Sequence, residues 1–234
     1  KSLSRLIDIY YESVGRNANL LLNFPVDRSG RIASADSARI MEWRRALDAE
    51  FAHDLLAEAQ ATADNVRGGA RRFSAAKAVD GRADTYWATD DGVTAATLSL
   101  QFERPRRVNR ILLQEYIPLG QRVGRFAVEW LDGDTWRPVE TAEEMTTIGY
   151  KRIIRFAGVT TPALRVRFGQ ARGPLCISNV EAYDAPVLLE EPRIVRNGAG
   201  EVTLAAGDTQ AEIRYTLDGT EPGPSSELYA KPFP

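Results

Sequence analysis

From Thr97 onward the chain is written in short alternating segments, and that pattern limits it to an antiparallel β architecture. Leu98-Ser99-Leu100-Gln101-Phe102 places apolar and polar residues in strict alternation, as a strand with one buried face requires. Segments at Arg107–Ile117, Phe126–Leu131, Trp136–Val139, Ile148–Phe156 and Leu164–Phe168 follow at short spacing. Asp132-Gly133-Asp134 supplies the turn chemistry of a hairpin. The sum reads as an antiparallel β-sandwich, with Trp136 in sheet core or at a sheet edge.

Ahead of the strands lies a polar loop, Lys77-Ala78-Val79-Asp80-Gly81-Arg82-Ala83-Asp84-Thr85. Gly81 can take φ > 0 without steric cost, so Asp80, Thr85 and neighbouring carbonyls can turn inward together. A solvated turn with Asx bonds is the plainer reading; the position just before a long β region favours a structured loop. Tyr86 and Trp87 follow and need burial against the sheets.

Composition narrows the partners. With 30 basic and 32 acidic residues in 234, no global field draws the chain to nucleic acid or to an anionic membrane. No apolar run approaches the roughly 20 residues that span a bilayer. The single cysteine, Cys176, excludes an intrachain disulfide and a multi-cysteine zinc site, and it leaves the compartment open. His53 is alone and reads as a boundary residue.

The opening differs in kind. Leu3, Leu6, Ile7, Tyr10 and Val14 fall at helical spacing, and Gly15-Arg16-Asn17 ends that helix. Asn19-Leu20-Leu21-Leu22-Asn23-Phe24, stopped by Pro25, reads as a strand buried on both faces, as in a parallel sheet. Ser34 to Asp36 offer N-caps for a second helix carrying Ile40, Trp43, Leu47 and Phe51. One α/β unit cannot bury its own core, so it is expected to be the last piece of a larger domain, with both ends of the chain cut from something longer. Residues 52–64, rich in Ala and acids, read as a helical tail or linker. Glu190-Glu191-Pro192 reads as a stiff acidic connector, followed by strands at Val202–Leu204 and Ile213–Leu217. Gly198-Ala199-Gly200 is a turn, and Asp218-Gly219 is another.

Three resemblances follow from particular runs. Ala78-Val79-Asp80-Gly81, Asp84-Thr85-Tyr86-Trp87 and Ile177-Ser178-Asn179-Val180-Glu181-Ala182-Tyr183 resemble the discoidin-like, coagulation-factor C-type sandwich used by many carbohydrate-binding modules. That resemblance implies a structural calcium ion, held by the carbonyls of Lys77 and Arg82, the Asp80 carboxylate, the carbonyl and hydroxyl of Thr85, and groups of Ser178 and Asn179. Asn179 stands where the family usually has Glu, which implies weaker binding.

Val14-Gly15-Arg16-Asn17-Ala18-Asn19-Leu20-Leu21-Leu22-Asn23-Phe24-Pro25, then Asp27, Gly30 and Ile32, resembles the end of the catalytic barrel of retaining α-L-fucosidases. Leu112 to Val123 and Thr147 to Arg152 resemble the sandwich appended to such barrels, especially those assigned to α-1,3/4-linked fucose. Barrel sites lie at the carboxyl ends of the strands, so Asn23 and Phe24 would form pocket wall. In this family both catalytic carboxyls lie upstream of the matched segment, so the chain itself carries no catalyst. Glu115, Tyr116, Gln121 and Arg122 would meet a sugar at the sandwich loop; the competing reading packs that loop on the barrel with Arg122 paired to a local acid. Finally, Ile213 to Pro222 with Ser226, Leu228-Tyr229 and Pro232-Phe233 resembles a chitobiase-type C-terminal β-domain.

The expected whole is mainly β: a terminal α/β unit of a (β/α) barrel over 1–51, a linker over 52–64, a discoidin-like, jelly-roll-type β-sandwich over 65–184, a linker over 185–192 and a partial β-domain over 193–234. The expected partners are a glycan with terminal fucose and the upstream barrel of the same protein. The resemblance implies a periplasmic or extracellular bacterial location.

Overall fold

The computed structural model describes residues 1–186, 192–206 and 212–233, which divide into a unit spanning 1–186 and one spanning 187–234. The larger unit begins with helices α1 (Leu3–Ser13) and α2 (Ser34–Glu50). Seven strands follow: β1 (Gln60–Ala63), β2 (Trp87–Ala88), β3 (Ala96–Glu115), β4 (Val123–Asp132), β5 (Thr135–Pro138), β6 (Arg152–Ala171) and β7 (Cys176–Tyr183). Every pairing is antiparallel, in the order β2-β7-β3-β6-β4-β5, with β1 also on β3.

Two strands organise this sheet. β3 and β6 each run 20 residues, merging segments that the sequence pattern separates. Their ladder breaks between Gln101 and Arg106 on β3, opposite Ala163 and Thr161 on β6. Pro105 and Pro162 fall in that gap, where a residue without an N–H does least harm to a ladder. Thr161, fully buried, accepts from Leu131 N at 3.1 Å and secures the corner. On one side of the break β3 pairs with β1 and β6 with β4; on the other, β3 pairs with β7. The sheet folds over itself there. Leu98, Leu100, Val128 and Val166 from one half meet Ile111, Leu113, Ile154 and Val180 from the other in a single core. The jelly-roll-like sandwich is as expected.

Side chains alternate along a strand, so each half also has an outer face. Leu112, Ile153 and Tyr183 point outward from the β7 side and receive the helical hairpin through Ile7 and Tyr11, with Leu3, Tyr10, Trp43, Leu47 and Phe51 around them. Phe51 meets Tyr183 edge-on at 5.1 Å. A charged network crosses the contact. Tyr11 Oη donates to the buried Glu50 carboxylate, Arg110 Nε donates to Tyr11 Oη at 3.1 Å, and Arg155 lies 4.4 Å over the Tyr11 ring while pairing with Asp8 at 2.8 Å.

Several expectations are corrected. Asn19–Phe24 is extended chain but no strand: Leu21 is 88% exposed, and among the described residues the backbone of 19–24 has no hydrogen-bonded neighbour. An apolar run becomes a two-faced strand only with strands on both sides, and none of the described residues supplies them. Ser34 begins α2 rather than capping it; Ala33 occupies the cap position without a side-chain bond. Residues 60–63 form β1 on β3 instead of a helical tail, and Asp54 accepts from Leu56 N and Ala182 N, docking the preceding turn on β7. The hairpin at 132–135 is as expected, with Gly133 at φ 57°. No helix among the described residues is long and apolar enough to cross a membrane.

The smaller unit contains two two-stranded sheets, β8 (Arg193–Arg196) with β9 (Val202–Ala205) and β10 (Arg214–Tyr215) with β11 (Glu227–Leu228). The expected strand over 213–217 shortens to β10. Tyr215 stacks on Phe233 at 4.5 Å, and Val202 bridges Phe233. Both glycine turns form: Gly200 and Gly219 have φ of 90° and 79°. Glu190 and Glu191 of the expected connector lie outside the described residues.

Burial raises the Glu50 pKa above its ordinary value, against the pull of the Tyr11 hydrogen bond and of Arg110 and Arg155. A carboxyl with a raised folded pKa binds its proton more tightly when folded. Its contribution is therefore largest at low pH and fades as pH rises above the ordinary carboxylate range. Urea titrations should show Glu50→Gln gaining stability relative to the wild type as pH rises above the ordinary carboxylate range; a pH-independent difference would contradict the burial argument.

Candidate functional site

The Asp80 loop is tightly built. After a 3₁₀ turn over Ala75–Ala78, Gly81 takes φ 67° and folds the chain back. Asp80 then accepts from Thr85 Oγ1 at 2.7 Å and Arg82 N at 3.1 Å, and pairs with Lys77 Nζ at 3.1 Å. Burial raises the Asp80 pKa, but the Thr85 and Lys77 bonds outweigh it and hold the carboxyl below its ordinary value. Asp84 faces solvent in a fork with Arg82.

Lys77 thus enters through its ammonium, where its carbonyl was expected to bind metal. The Arg82 carbonyl takes only the long 3.4 Å contact from Thr85 Oγ1. Gly81, Arg82 and Ala83 face Ser178 and Asn179 across a cleft of about 250 Å³ also lined by Gln114, Tyr116 and Tyr150. Asn179 Nδ2 donates to Gln114 and Glu181, and Ser178 Oγ to the Gln114 carbonyl. This is an all-oxygen donor set with one carboxylate at its centre, which suits a hard cation held weakly. Among the described residues no three His, Cys, Asp or Glu side chains gather to bind a metal more strongly.

Trp87 and Tyr86 divide the work of anchoring the loop. Trp87 is fully buried, its Nε1 donating to Asn65 O at 2.9 Å. Tyr86 stacks on Tyr116 at 4.2 Å with ring planes 18° apart.

Glu115 requires a correction. Its carboxylate, 3% exposed, accepts three backbone N–H groups: Arg122 at 2.6 Å and Val123 at 2.9 Å on one oxygen, Gly149 at 2.8 Å on the other. It closes the loop from inside, with both carboxylate oxygens engaged by the backbone, at the back of the cleft beside Tyr116. Among the described residues Arg122 has no acid partner, where the competing reading expected one. Its guanidinium donates to Leu119 O at 3.1 Å and Pro174 O at 2.9 Å, tying two loops together beside Cys176. Burial raises the Cys176 thiol pKa, with Arg122 and Arg67 pulling the other way. Arg122 does edge a second cleft of about 330 Å³ with Tyr86, Arg67 and Asp91.

Gln121 is exposed and accepts from Asn17 Nδ2 at 3.3 Å. Asn17, expected as a helix stop and as part of the fucosidase-like run, also accepts from Tyr150 N at 2.7 Å. Asn23 and Phe24 sit elsewhere, beside Leu6, Leu22, Asp36 and Arg39 in a cleft of about 110 Å³. The structure therefore brings Glu115, Gln121 and Arg122 together around one loop and joins Lys77, Asp80, Arg82 and Thr85 in another; Ser178 and Asn179 stay on β7, where they share a cleft with Arg82, and Asn23 and Phe24 lie apart. What the sequence did not reveal is that Tyr86, expected to be buried, and Tyr116, expected at the sugar loop, stack on each other, both half-buried. Trp136 is on the edge strand, half-buried, with Arg165 4.5 Å over its ring.

Known proteins resemble this chain in a consistent way. The F5/8 type C domain model matches residues 59–181, and the chitobiase/beta-hexosaminidase C-terminal domain model matches residues 195–234. "Putative alpha-L-fucosidase 1" of Oryza sativa subsp. japonica is 36% identical over 180 residues, covering 76% of this chain and 34% of that protein. Alpha-L-fucosidase 1 of Arabidopsis thaliana is 30% identical over 187 residues, covering 78% and 36%. A Ruminococcus gnavus GH29 fucosidase, solved in complex with fucose, superposes with a TM-score of 0.73 at 32% identity, over 80% of this chain and 37% of that one. The chain thus spans about a third of its curated relatives' length, and plant proteins among them widen the expected bacterial origin.

Removing the Glu115 side chain strands three buried N–H groups, each worth about 1–3 kcal/mol when unsatisfied. Glu115→Ala should lower unfolding stability by at least about 3 kcal/mol in urea titration, with Glu115→Gln intermediate. An alanine variant as stable as the wild type would refute the cap.

Proposed function

The chain belongs to the F5/8 type C family through residues 59–181, and from that membership we propose that it is the C-terminal, non-catalytic part of an α-L-fucosidase. Similarity to the fucosidases runs over 180 residues, well past the 123 of the module, so the likeness is to a larger arrangement that contains it. The whole protein would remove terminal α-linked L-fucose, with α-1,3/4 linkages favoured, by a retaining mechanism. That mechanism needs a nucleophile and an acid/base about 5 Å apart, which this reading places in an upstream barrel.

One observation carries the reading: Asn19–Phe24 has the composition of a doubly buried strand, yet among the described residues it is unpaired, with Leu21 exposed and Leu20, Leu22 and Phe24 only half-buried, beside a helical hairpin that is itself firmly seated. The hairpin and this segment would be the barrel's last α/β unit, and the sandwich its support. The alternative, a sandwich that recognises galactose- or fucose-terminated glycans, draws on the cleft between Arg122 and Tyr86. Support is favoured because Glu115 and Arg122 are already committed to closing loops. Full-length protein should release nitrophenol from an aryl α-L-fucoside and this chain should not. Turnover by the chain alone would overturn the placement of the carboxyls.

The same reading assigns a calcium ion to the Asp80 loop. Asp80, the carbonyls of Lys77 and Arg82, the Thr85 carbonyl and hydroxyl, and Ser178 and Asn179 would hold it, and the ion would supply a structural link between loop and last strand. The Lys77 ammonium competes for the same carboxylate. Millimolar CaCl₂ should raise the thermal midpoint above that in EDTA, Asp80→Ala should abolish the rise and Lys77→Met should enlarge it. Equal midpoints in calcium and EDTA would dismiss the ion.

A further inference from the structure

The two outer faces of the sandwich are unlike. The face bearing Leu112, Ile153 and Tyr183 is covered by the helical hairpin. The face formed by β1, β3, β6 and β4 bears a trough of about 450 Å³, lined by Asp64, Thr97, Arg125, Ala127, Arg167 and Gly169 among others. Register explains its shape. Arg167 lies between Thr97 on one side and Ala127 on the other, and Gly169 adds no side chain, so a long guanidinium stands among short neighbours. At Arg125 the β4–β6 ladder is irregular. A bulge re-aims a side chain and bends the strand, and it delivers a second exposed guanidinium to the same trough.

The charges do not balance. Arg165 and Arg167 share the single buried carboxylate of Glu129, Arg167 through Nη1 at 3.1 Å while its side chain stays 58% exposed. Among the described residues Arg125 has no ion-pair partner. Asp64 accepts the Thr97 N–H with both oxygens at 2.9 Å. Of the residues lining the trough, two are arginines, both well exposed, and one is an acid, Asp64, whose oxygens already accept the Thr97 N–H.

We propose that this trough binds an anionic saccharide. Arg125 and Arg167 would grip its carboxylate or sulfate through paired N–H donors, and Asp64 would accept from sugar hydroxyls. The volume suits one or two sugar units. The saccharide part of the assignment rests on the fucosidase reading; the anionic part rests on the trough alone.

Calorimetric titration of this chain at about 50 mM salt, where ionic contacts are least screened, tests it. The probes are an oligogalacturonate, a sulfated fuco-oligosaccharide, a neutral galacto-oligosaccharide and a polyglutamate peptide. The expected result is binding of the carboxylated or the sulfated probe, the preferred one naming the group recognised, and none of the other two. Arg125→Ala, which breaks no ion pair among the described residues, should weaken that binding about tenfold or more with an unchanged thermal midpoint; the double variant with Arg167→Ala, which also removes one of the two partners of Glu129, should weaken it further while remaining folded. Arg125→Lys should recover part of it. Equal binding of the neutral sugar or the peptide, no binding of any probe, or full affinity in folded variants would overturn the proposal. Aryl-fucoside turnover by the full-length protein is independent of every one of these outcomes, so failure here leaves the fucosidase reading separately testable.

Discussion

Everything in the larger unit depends on two strands that each serve both halves of the sandwich. β3 and β6 cross the corner at Pro105 and Pro162, so the inner faces of both halves are made from the same pair of strands. Burying Leu98, Leu100, Ile111 and Leu113 of β3 together fixes the register, because a slip of one residue would turn every one of them outward. The same alternation then dictates what the outside carries. Beyond the corner it presents Leu112 and Ile153, which the helical hairpin covers; before the corner it presents Ser99, Arg165 and Arg167. One covered face and one open face follow from a single choice of register.

Loop closure is the second consequence. A sandwich leaves its connections at the ends, where backbone N–H groups lack ladder partners and must be satisfied some other way. Glu115 gathers three of them, Arg122 collects two carbonyls, and Asp80 takes one N–H with a hydroxyl and an ammonium. Carboxylates and guanidiniums serve here because a charged partner strengthens each bond. The requirement that builds these loops draws on the residue types that sugar recognition would use, and it consumes them first.

This explains how far the sequence could be read. The alternating strands, the hairpin at Gly133, the bend at Gly81 and both helices declare themselves locally, since period and turn chemistry are properties of a few neighbouring residues. β1 was hidden in an Ala-rich stretch, because its pairing partner on β3 is far along the chain. Asn19–Phe24 misled in the opposite sense: its residues encode burial against neighbours that the described residues do not contain. Glu115 and Arg122 were indistinguishable from surface groups, since a charged residue beside a loop reads alike whether it bonds inward or outward. Arg125 gave no signal, for its exposure comes from a ladder irregularity that no local pattern announces.

The helical hairpin and the sandwich are joined by more than apolar contact. Apolar area holds surfaces together without fixing their angle, whereas hydrogen bonds with defined directions do fix it. Tyr11, Glu50, Arg110 and Arg155 supply such bonds along α1, and the end of that helix is set even more closely. Gly15 O accepts from Ile153 N at 2.8 Å; a Cβ at Gly15 would meet Tyr11 O at 2.5 Å. Asn17, at φ 64°, then turns the chain while its amide grips Tyr150 N and Gln121. The direction in which Ala18–Phe24 leaves the helix is therefore set jointly by the end of α1, where Ser13 O accepts from Ala18 N at 2.9 Å, and by β6 and two sandwich loops. The point from which Asn23 and Phe24 set out is thus held by contacts with the sandwich, made through Gly15 and Asn17.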